Sequence, residues 1–293
     1  MSDYDTGIHA AANRMLRRRA LPGTPDGTAP PWPAAQFGLD AVPVYVRADE
    51  SVQRAVLDRC AQGLLRESWL IERGGMEFCA RMVLASDDAA QRALYSHIGA
   101  DEAAHYAWLQ PWLPPLTPSD PFNDFVDDCV RTAGPQSLAY LMQVVLEGFG
   151  IVHYAGLASA CLDAALADTL RRMAEDEALH HAAGLAVFDY RRLGTAERAF
   201  LLDASYTFLQ MMRSGPHAVV AALDQALGGL DANALPGLFD ALGAAHGSTG
   251  KLARLRRLMG QPGMENLVDA LAQRRAFEPA GSDEAAQIYR SLR

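Results

Sequence analysis

The sequence predicts an all-α fold, and three observations support this prediction. Apolar residues recur every three or four positions over long segments of the 293 residues, which is the helical period. The alternation of apolar and polar residues that is typical of strands is almost absent. Prolines and glycines lie between the apolar segments, where helices would end. Two segments also match each other residue by residue, which indicates a repeated pair of helices.

The N-terminal part predicts an arm rather than a bundle helix. Residues 5–19 favour a short basic helix that ends in the cluster Arg17–Arg19. The prolines between residues 21 and 45 exclude regular helix or a central strand in that stretch. We therefore expect residues 1–48 to form a proline-rich arm and linker.

A first pair of long helices follows the arm. Ser51 is the predicted N-cap of a helix that runs to about Ser86, because serine side chains accept hydrogen bonds from free N–H groups at helix starts. Asp87 and Asp88 then favour the start of a second helix, which ends at the proline cluster beginning with Pro111.

A second pair of long helices is predicted after a connection at residues 119–134 that contains a short acidic helix. Pro135 suits the first turn of the third helix, which extends to about Asp163. The fourth helix reaches Arg192, and Gly194 closes it as a C-terminal cap.

The four long helices predict a bundle over residues 49–194. Residues 195–293 contain shorter apolar segments broken by glycine and proline, so we expect a C-terminal helical extension packed on the bundle.

Residues 138–162 are apolar enough to suggest a membrane span. Because Glu147 in the middle of that stretch would be costly in lipid, we interpret it as the central helix of a bundle and expect no membrane association.

The repeat carries the chemistry. Residues 72–105 align without gaps on residues 147–180, and each segment contains one glutamate followed thirty residues later by Glu-x-x-His. The matched pairs are Glu72 with Glu147, Asp101 with Asp176, Glu102 with Glu177, and His105 with His180. Positions three apart share one helix face, and a hairpin that turns halfway brings the first glutamate to the same height. Four carboxylates and two imidazoles therefore converge inside the bundle.

Such a cluster predicts a metal site. Buried carboxylates repel one another and lose hydration, and two divalent ions would neutralise four of them. Oxygen ligands with one imidazole per ion suit iron or manganese better than structural zinc, which favours cysteine. The alternative is a solvated charged face, which a single Glu-x-x-His would favour. Two copies at matching distances favour a two-metal centre, whose ligands would also be the catalytic groups.

The stretches VLEGFGIVHYAGL and RRMAEDEALHHAAG resemble the corresponding helices of ribonucleotide reductase small subunits and their oxidase relatives, in the ferritin-like di-iron carboxylate superfamily. The resemblance covers roughly residues 60–192 and implies a ferritin-like four-helix bundle with two iron ions, or manganese with iron, and O₂ as co-substrate. It implies terminal ligands at Glu72 and Glu147, bridging ligands at Glu102 and Glu177, and one histidine, His105 or His180, on each ion. It also implies that the free ring nitrogen of His105 donates a hydrogen bond to Asp176, and the repeat suggests the same for His180 and Asp101.

Two departures from these relatives narrow the implied activity. Leu109 occupies the position of the radical tyrosine of the reductases, although Tyr106 is nearby. Met173 occupies the position of the additional histidine of arylamine N-oxygenases. The leading interpretation is an O₂-activating non-haem di-iron oxidase or monooxygenase, which hydroxylates, N-oxygenates or desaturates a small organic substrate in biosynthetic metabolism. The alternatives are a ferroxidase or iron-handling protein, and a protein that uses the metals only to fold.

The composition of the sequence excludes some classes of partner and of chemistry. A formal charge of −9 argues against nucleic acid, and Lys251, the sole lysine, leaves almost no candidate for Schiff-base chemistry. The four cysteines show no metal-binding spacing and suit a reducing cytoplasm. We expect a small-molecule substrate, which a carrier could present to basic clusters such as that at Arg254, and an electron donor. A homodimer is a further possibility.

Several further side chains could surround the centre. Trp69, Met76, Phe149, Ile151 and Tyr154 are candidates for a substrate cavity, with ordinary core packing as the alternative. Glu67 and Glu77 are rivals of Glu72 as ligand, and His153 and His181 are expected in polar or core roles.

Overall fold

The computed structural model describes residues 23–25, 27, 29–113 and 121–291. The predicted basic helix at 5–19 and the cluster Arg17–Arg19 lie outside these residues. Within the described part of the chain there are twelve helices and no strand, which confirms the all-α fold. The helices are α1 Pro43–Val46, α2 Glu50–Ala85, α3 Ala89–Leu109, α4 Pro121–Thr132, α5 Pro135–Ala160, α6 Ala164–Val187, α7 Thr195–Arg213, α8 His217–Ala226, α9 Leu235–Ala241, α10 Ala244–Met259, α11 Glu265–Gln273 and α12 Ser282–Ser291.

Helices α2 and α3 form the first predicted hairpin. The turn lies between Ala85 and Ala89, and the Asp88 side chain caps α3 by accepting a hydrogen bond from the backbone N–H of Gln91. The predicted N-cap Ser51 is wrong by two residues, because the extended residue before the helix is Asp49.

Helices α5 and α6 form the second hairpin, and its turn repeats the chemistry of the first. The Asp163 carboxylate caps α6 by accepting from the N–H of Leu166, and it also accepts from the Trp112 indole. Asp88 and Asp163 are equivalent in the repeat, so both hairpins turn at the same point relative to the glutamates.

The predicted end of the fourth helix is wrong. Helix α6 ends at Val187, because Phe188 and Asp189 are extended and the Asp189 N–H donates to the Gln136 side chain instead of continuing the helix. Gly194 does not cap α6. It precedes the first turn of α7, where its N–H donates to Glu197.

Helix α5 contains a π-helical stretch, Ala139–Glu147, whose last residue is a predicted ligand. The stretch packs closely on α6, since a Cβ added at Gly184 would lie 2.4 Å from Gln143 Cβ and 3.2 Å from its carbonyl carbon. A π-helix has wider turns than an α-helix and often marks a functional site.

Gly184→Ala is expected to destabilise the protein by about 1–3 kcal/mol, because the new methyl group meets Cβ and the backbone of Gln143, which a side-chain rotation does not move. Gly156→Ala is the matched control in α5. A Cβ there meets nothing within 4 Å, and alanine favours helix over glycine by up to about 1 kcal/mol. Urea unfolding measures both free energies, and equal stability of the two variants would contradict the close contact.

The described part of the proline-rich arm lies on the bundle. Trp32 is fully buried and its indole N–H donates to the Leu157 carbonyl at 2.8 Å, while the Leu162 N–H donates to Pro31 at 2.7 Å. Short 3₁₀ turns at Ala34–Phe37 and Leu39–Ala41 follow. The arm therefore closes the end of the bundle where α5 ends.

Two apolar layers fill the bundle. One contains Trp69, Trp108 and Leu170, and the other contains Phe78, Tyr95 and Leu138. Along each long helix the predicted ligands fall between the residues of these two layers. The helices after residue 194 add two further apolar clusters, which also include residues of α2 and α5. The boundaries at 48 and 194 stay predictions.

Helix α5 is the one described helix that is long and apolar enough to cross a membrane, and half of its most apolar window is buried. It carries Glu147 and packs against α6 and α10. These are properties of a core helix in a bundle.

Candidate metal centre

The structure brings all six predicted ligands into one interior cluster. Glu72 comes from α2, Glu102 and His105 from α3, Glu147 from the end of the π-helical stretch in α5, and Glu177 and His180 from α6. Five of them are at most 4% exposed, and Glu147 is partly buried, with 13% of its side chain accessible. The Glu-x-x-His spacing puts both donors of each pair on the inner face of its helix.

The first group of donors is Glu72, Glu102, His105 and Glu177, whose ligand atoms lie within 4.8 Å of one another. Nδ1 of His105 lies 3.0 Å from Oε2 of Glu72 and 3.9 Å from Oε1 of Glu177. Three carboxylates and one imidazole could hold one divalent ion at this position.

The second group is Glu102, Glu147 and His180. Nδ1 of His180 lies 3.1 Å from Oε1 of Glu102 and 3.9 Å from Oε2 of Glu147. Glu102 belongs to both groups, so its carboxylate lies where one ligand could bridge two ions. Glu102 packs closely on α2 at Gly75, where an added Cβ would overlap its carboxylate.

The outer nitrogen of each histidine faces an aspartate, as the sequence predicts. Nε2 of His105 lies 3.0 Å from Oδ2 of Asp176, and Nε2 of His180 lies 3.5 Å from Oδ2 of Asp101. Both aspartates are about one-third exposed. Such contacts fix the ring so that Nδ1 points into the cluster.

The electrostatics of the metal-free cluster favour bound protons. Burial and the nearby charge of Glu72 raise the pKa of Glu102 to about 7, although contacts with His180 lower it in part. Burial opposes charge on both histidines, but hydrogen bonds to carboxylates outweigh it, so the pKa of His180 rises to about 11 and that of His105 also rises. Burial likewise raises the pKa values of Glu147 and Glu177.

Three ligand atoms of the second group are buried without a hydrogen-bond partner among the described residues: Oε1 of Glu102, Oε2 of Glu147 and Nδ1 of His180. Glu102 Oε1 and His180 Nδ1 are close but not aligned as donor and acceptor. Buried polar atoms are normally satisfied, and a cation would satisfy all three. The residues present therefore fit divalent ions.

Tyr154 is part of the centre in a way that the sequence did not indicate. Its hydroxyl donates a hydrogen bond to Oε1 of Glu72. A tyrosine in an apolar helix has the same pattern as a core residue, so only its position seven residues after Glu147 could have suggested this contact.

A buried polar network lies behind His180. The Gln143 side chain accepts from the Tyr95 hydroxyl at 3.1 Å and donates to the His180 carbonyl at 3.4 Å. Nδ1 of His181, which is partly buried, faces the Gln143 carbonyl at 3.2 Å. This network ties the π-helical stretch to α3 and α6.

The rival ligands lie outside both groups. Glu77 is exposed and lies 3.8 Å from Arg73, and Glu67 belongs to neither donor set. Among the other predicted neighbours, Trp69 is buried and stacks on Tyr106 at 4.2 Å.

The remaining candidates for a substrate cavity lie in different surroundings and do not share one pocket. Phe149 packs beside His153, with ring centroids 6.2 Å apart, and Met76 is partly buried. Burial, with Lys251 nearby, lowers the pKa of His153 to about 4. Ile151 lines a groove of about 570 Å³ between α5 and α6, which contains none of the six ligands.

Comparison of the chain with protein-family models, curated proteins and solved structures finds no match. The case for a di-metal centre therefore depends on the cluster itself, which is compatible with a di-iron carboxylate site.

Proposed function

We propose that this protein is an O₂-activating di-metal oxidase or monooxygenase that acts on a small organic substrate. The observation that carries the proposal is the pair of overlapping donor groups, in which four carboxylates and two imidazoles converge and Glu102 is shared. Iron is the preferred metal, with manganese and iron together as a variant, because a donor set of hard oxygens and one imidazole per ion suits these metals.

Two such ions would supply the one-electron redox chemistry that carboxylate and imidazole side chains lack. The chain supplies the geometry. Glu72 and Glu147 each serve one position, Glu102 is shared by both, Glu177 completes the first, and each histidine donates through Nδ1. Asp176 and Asp101 hold the outer nitrogens and keep the rings oriented.

The apolar layers above and below the ligands exclude water from the centre. Trp69 and Trp108 belong to one layer and Phe78 to the other, and all three are at most 7% exposed. A dry, preorganised site strengthens the electrostatic hold on the ions and protects reactive species from hydrolysis. Electrons would come from a separate donor, and the cytoplasm is the expected compartment.

Iron oxidation without an organic substrate is the second candidate. Two surface grooves, one between α5 and α6 and one beside the proline-rich arm, contain none of the six ligands. An enclosed centre of this kind would suit a ferroxidase, whose substrates are only Fe(II) and O₂.

The test begins with two equivalents of Fe(II) added without oxygen, followed by O₂, with optical absorption and oxygen consumption as readouts. An O₂-activating centre should consume O₂ rapidly and produce charge-transfer absorption. A reductant with a panel of small aromatic and aliphatic substrates then separates the candidates, since an oxygenase forms organic product and a ferroxidase only ferric iron. Fe(II) that binds but reacts with O₂ no faster than free Fe(II) would contradict both.

A further inference from the structure

The two halves of the centre differ at one pair of equivalent positions. The repeat has an offset of 75 residues, so the residue seven positions after each first glutamate is Cys79 in α2 and Tyr154 in α5. Both side chains are 2% exposed. Seven residues are nearly two helical turns, which returns a side chain to the ligand-bearing face of its helix. The halves therefore share their ligands but not the groups beside them.

Tyr154 holds one oxygen of Glu72. Its hydroxyl donates to Oε1, while Oε2 of the same carboxylate faces His105 Nδ1 at 3.0 Å inside the first donor group. The two oxygens of Glu72 thus have different partners: a phenol on one side and the metal position on the other. Tyr154 is 2% exposed, so bulk water does not compete for this contact.

Among the described residues, the opposite half has no such contact. Oε2 of Glu147 is buried without a hydrogen-bond partner there, and Cys79, which stands where the repeat would put a second tyrosine, is only a weak donor. Burial, and after it the charges of Glu102 and Glu147, raise the pKa of the Cys79 thiol. Glu147 is also the most exposed of the six ligands.

We propose that Tyr154 is a positioning residue that fixes Glu72 as a one-oxygen ligand and makes the Glu72–His105 position the tighter of the two metal positions. The inference rests on the two-metal centre of the proposed function. A carboxylate already oriented by a hydrogen bond loses less freedom when an ion binds. With Oε1 engaged by the phenol, Glu72 would offer Oε2 to an ion as its single donor atom.

Co(II) binding tests the proposal in two single-position backgrounds. Glu147→Gln impairs the second position and leaves the first, whereas Glu72→Gln does the reverse. Tyr154→Phe should weaken Co(II) binding about 10–100-fold in the first background and leave it unchanged in the second. The visible absorption of Co(II) at the first position should also lose intensity, since Glu72 freed from the phenol can chelate and raise the coordination number.

Tyr95→Phe is the matched control. It removes another buried phenol, which donates to Gln143 rather than to a ligand, and should leave Co(II) affinity at the first position unchanged. Unchanged affinity in the Tyr154→Phe variant, or equal weakening at both positions, would overturn the proposal. As a single substitution, Glu72→Gln should abolish the tighter of the two Co(II) binding events. Loss of the weaker event instead would also overturn the proposal.

The same titrations separate this inference from the proposed function. If the unaltered chain binds no Co(II), the two-metal centre and the role of Tyr154 both fail. If Co(II) binds with the expected asymmetry but bound Fe(II) does not react with O₂, only the proposed function fails.

Discussion

Replacing Glu102 by alanine is expected to abolish binding of both metal ions. Glu102 belongs to both donor groups, so its loss removes a carboxylate from each position at once. Removing a partner outside the ligand set typically costs about 10–100-fold in metal affinity, and losing a shared ligand should cost more. Glu177→Ala should likewise abolish two-ion loading, because Glu177 completes the first group. Metal content per chain after loading with Fe(II) and desalting measures both effects.

Glu175→Ala is the control for these variants. Glu175 lies in the same helix, two residues from Glu177, but it is exposed and belongs to neither donor group. It should bind two ions like the unaltered chain. Retention of two ions per chain by Glu102→Ala would rule out the assignment of the cluster as a di-metal site, whatever the activity of that variant.

The two hairpins could be predicted because their determinants are local. The thirty-residue spacing between the first glutamate and Glu-x-x-His requires a turn near the midpoint, and Asp88 and Asp163 supply caps there. The observed turns lie between Ala85 and Ala89 and between Ala160 and Ala164. Repeated spacing thus contained enough information to place ligands from four helices in one cluster.

Other features depend on contacts between distant residues, which one sequence does not reveal. Helix α6 ends at Val187 because the backbone N–H of Asp189 donates a hydrogen bond to the side chain of Gln136, which is 53 positions away. The π-helical stretch of α5 has no local signal and lies against Gly184 of another helix. The pairing of Tyr154 with Glu72 also joins separate helices, 82 residues apart.

Protons would compete with metal ions for the same cluster of donors. In the metal-free chain the pKa values of Glu102, Glu147, Glu177, His105 and His180 are all raised. The folded state therefore binds protons that the unfolded chain releases, and the stability they provide falls as pH rises. The stability that the Glu102 proton contributes is fully present below about pH 4.5 and is lost as the pH rises through about 7. The stability that the His180 proton contributes is fully present below about pH 6.5 and is lost as the pH rises through about 11. Metal binding has the opposite dependence, because the ions bind the deprotonated ligands.

Metal should consequently stabilise this protein far more at pH 8 than at pH 5. At a free ion concentration a thousand times the dissociation constant, each site contributes about 4 kcal/mol, and each kcal/mol is worth roughly 2–4 °C for a domain of about this size. Anaerobic Fe(II) should thus raise the unfolding temperature by on the order of 15 °C or more at pH 8, and by much less at pH 5, where protons occupy the donors. Scanning calorimetry with and without Fe(II) measures the rise in unfolding temperature at each pH. The Glu102→Ala variant should show no rise at either pH. An increment that does not change with pH would mean that the ions stabilise the chain from somewhere other than this protonated cluster.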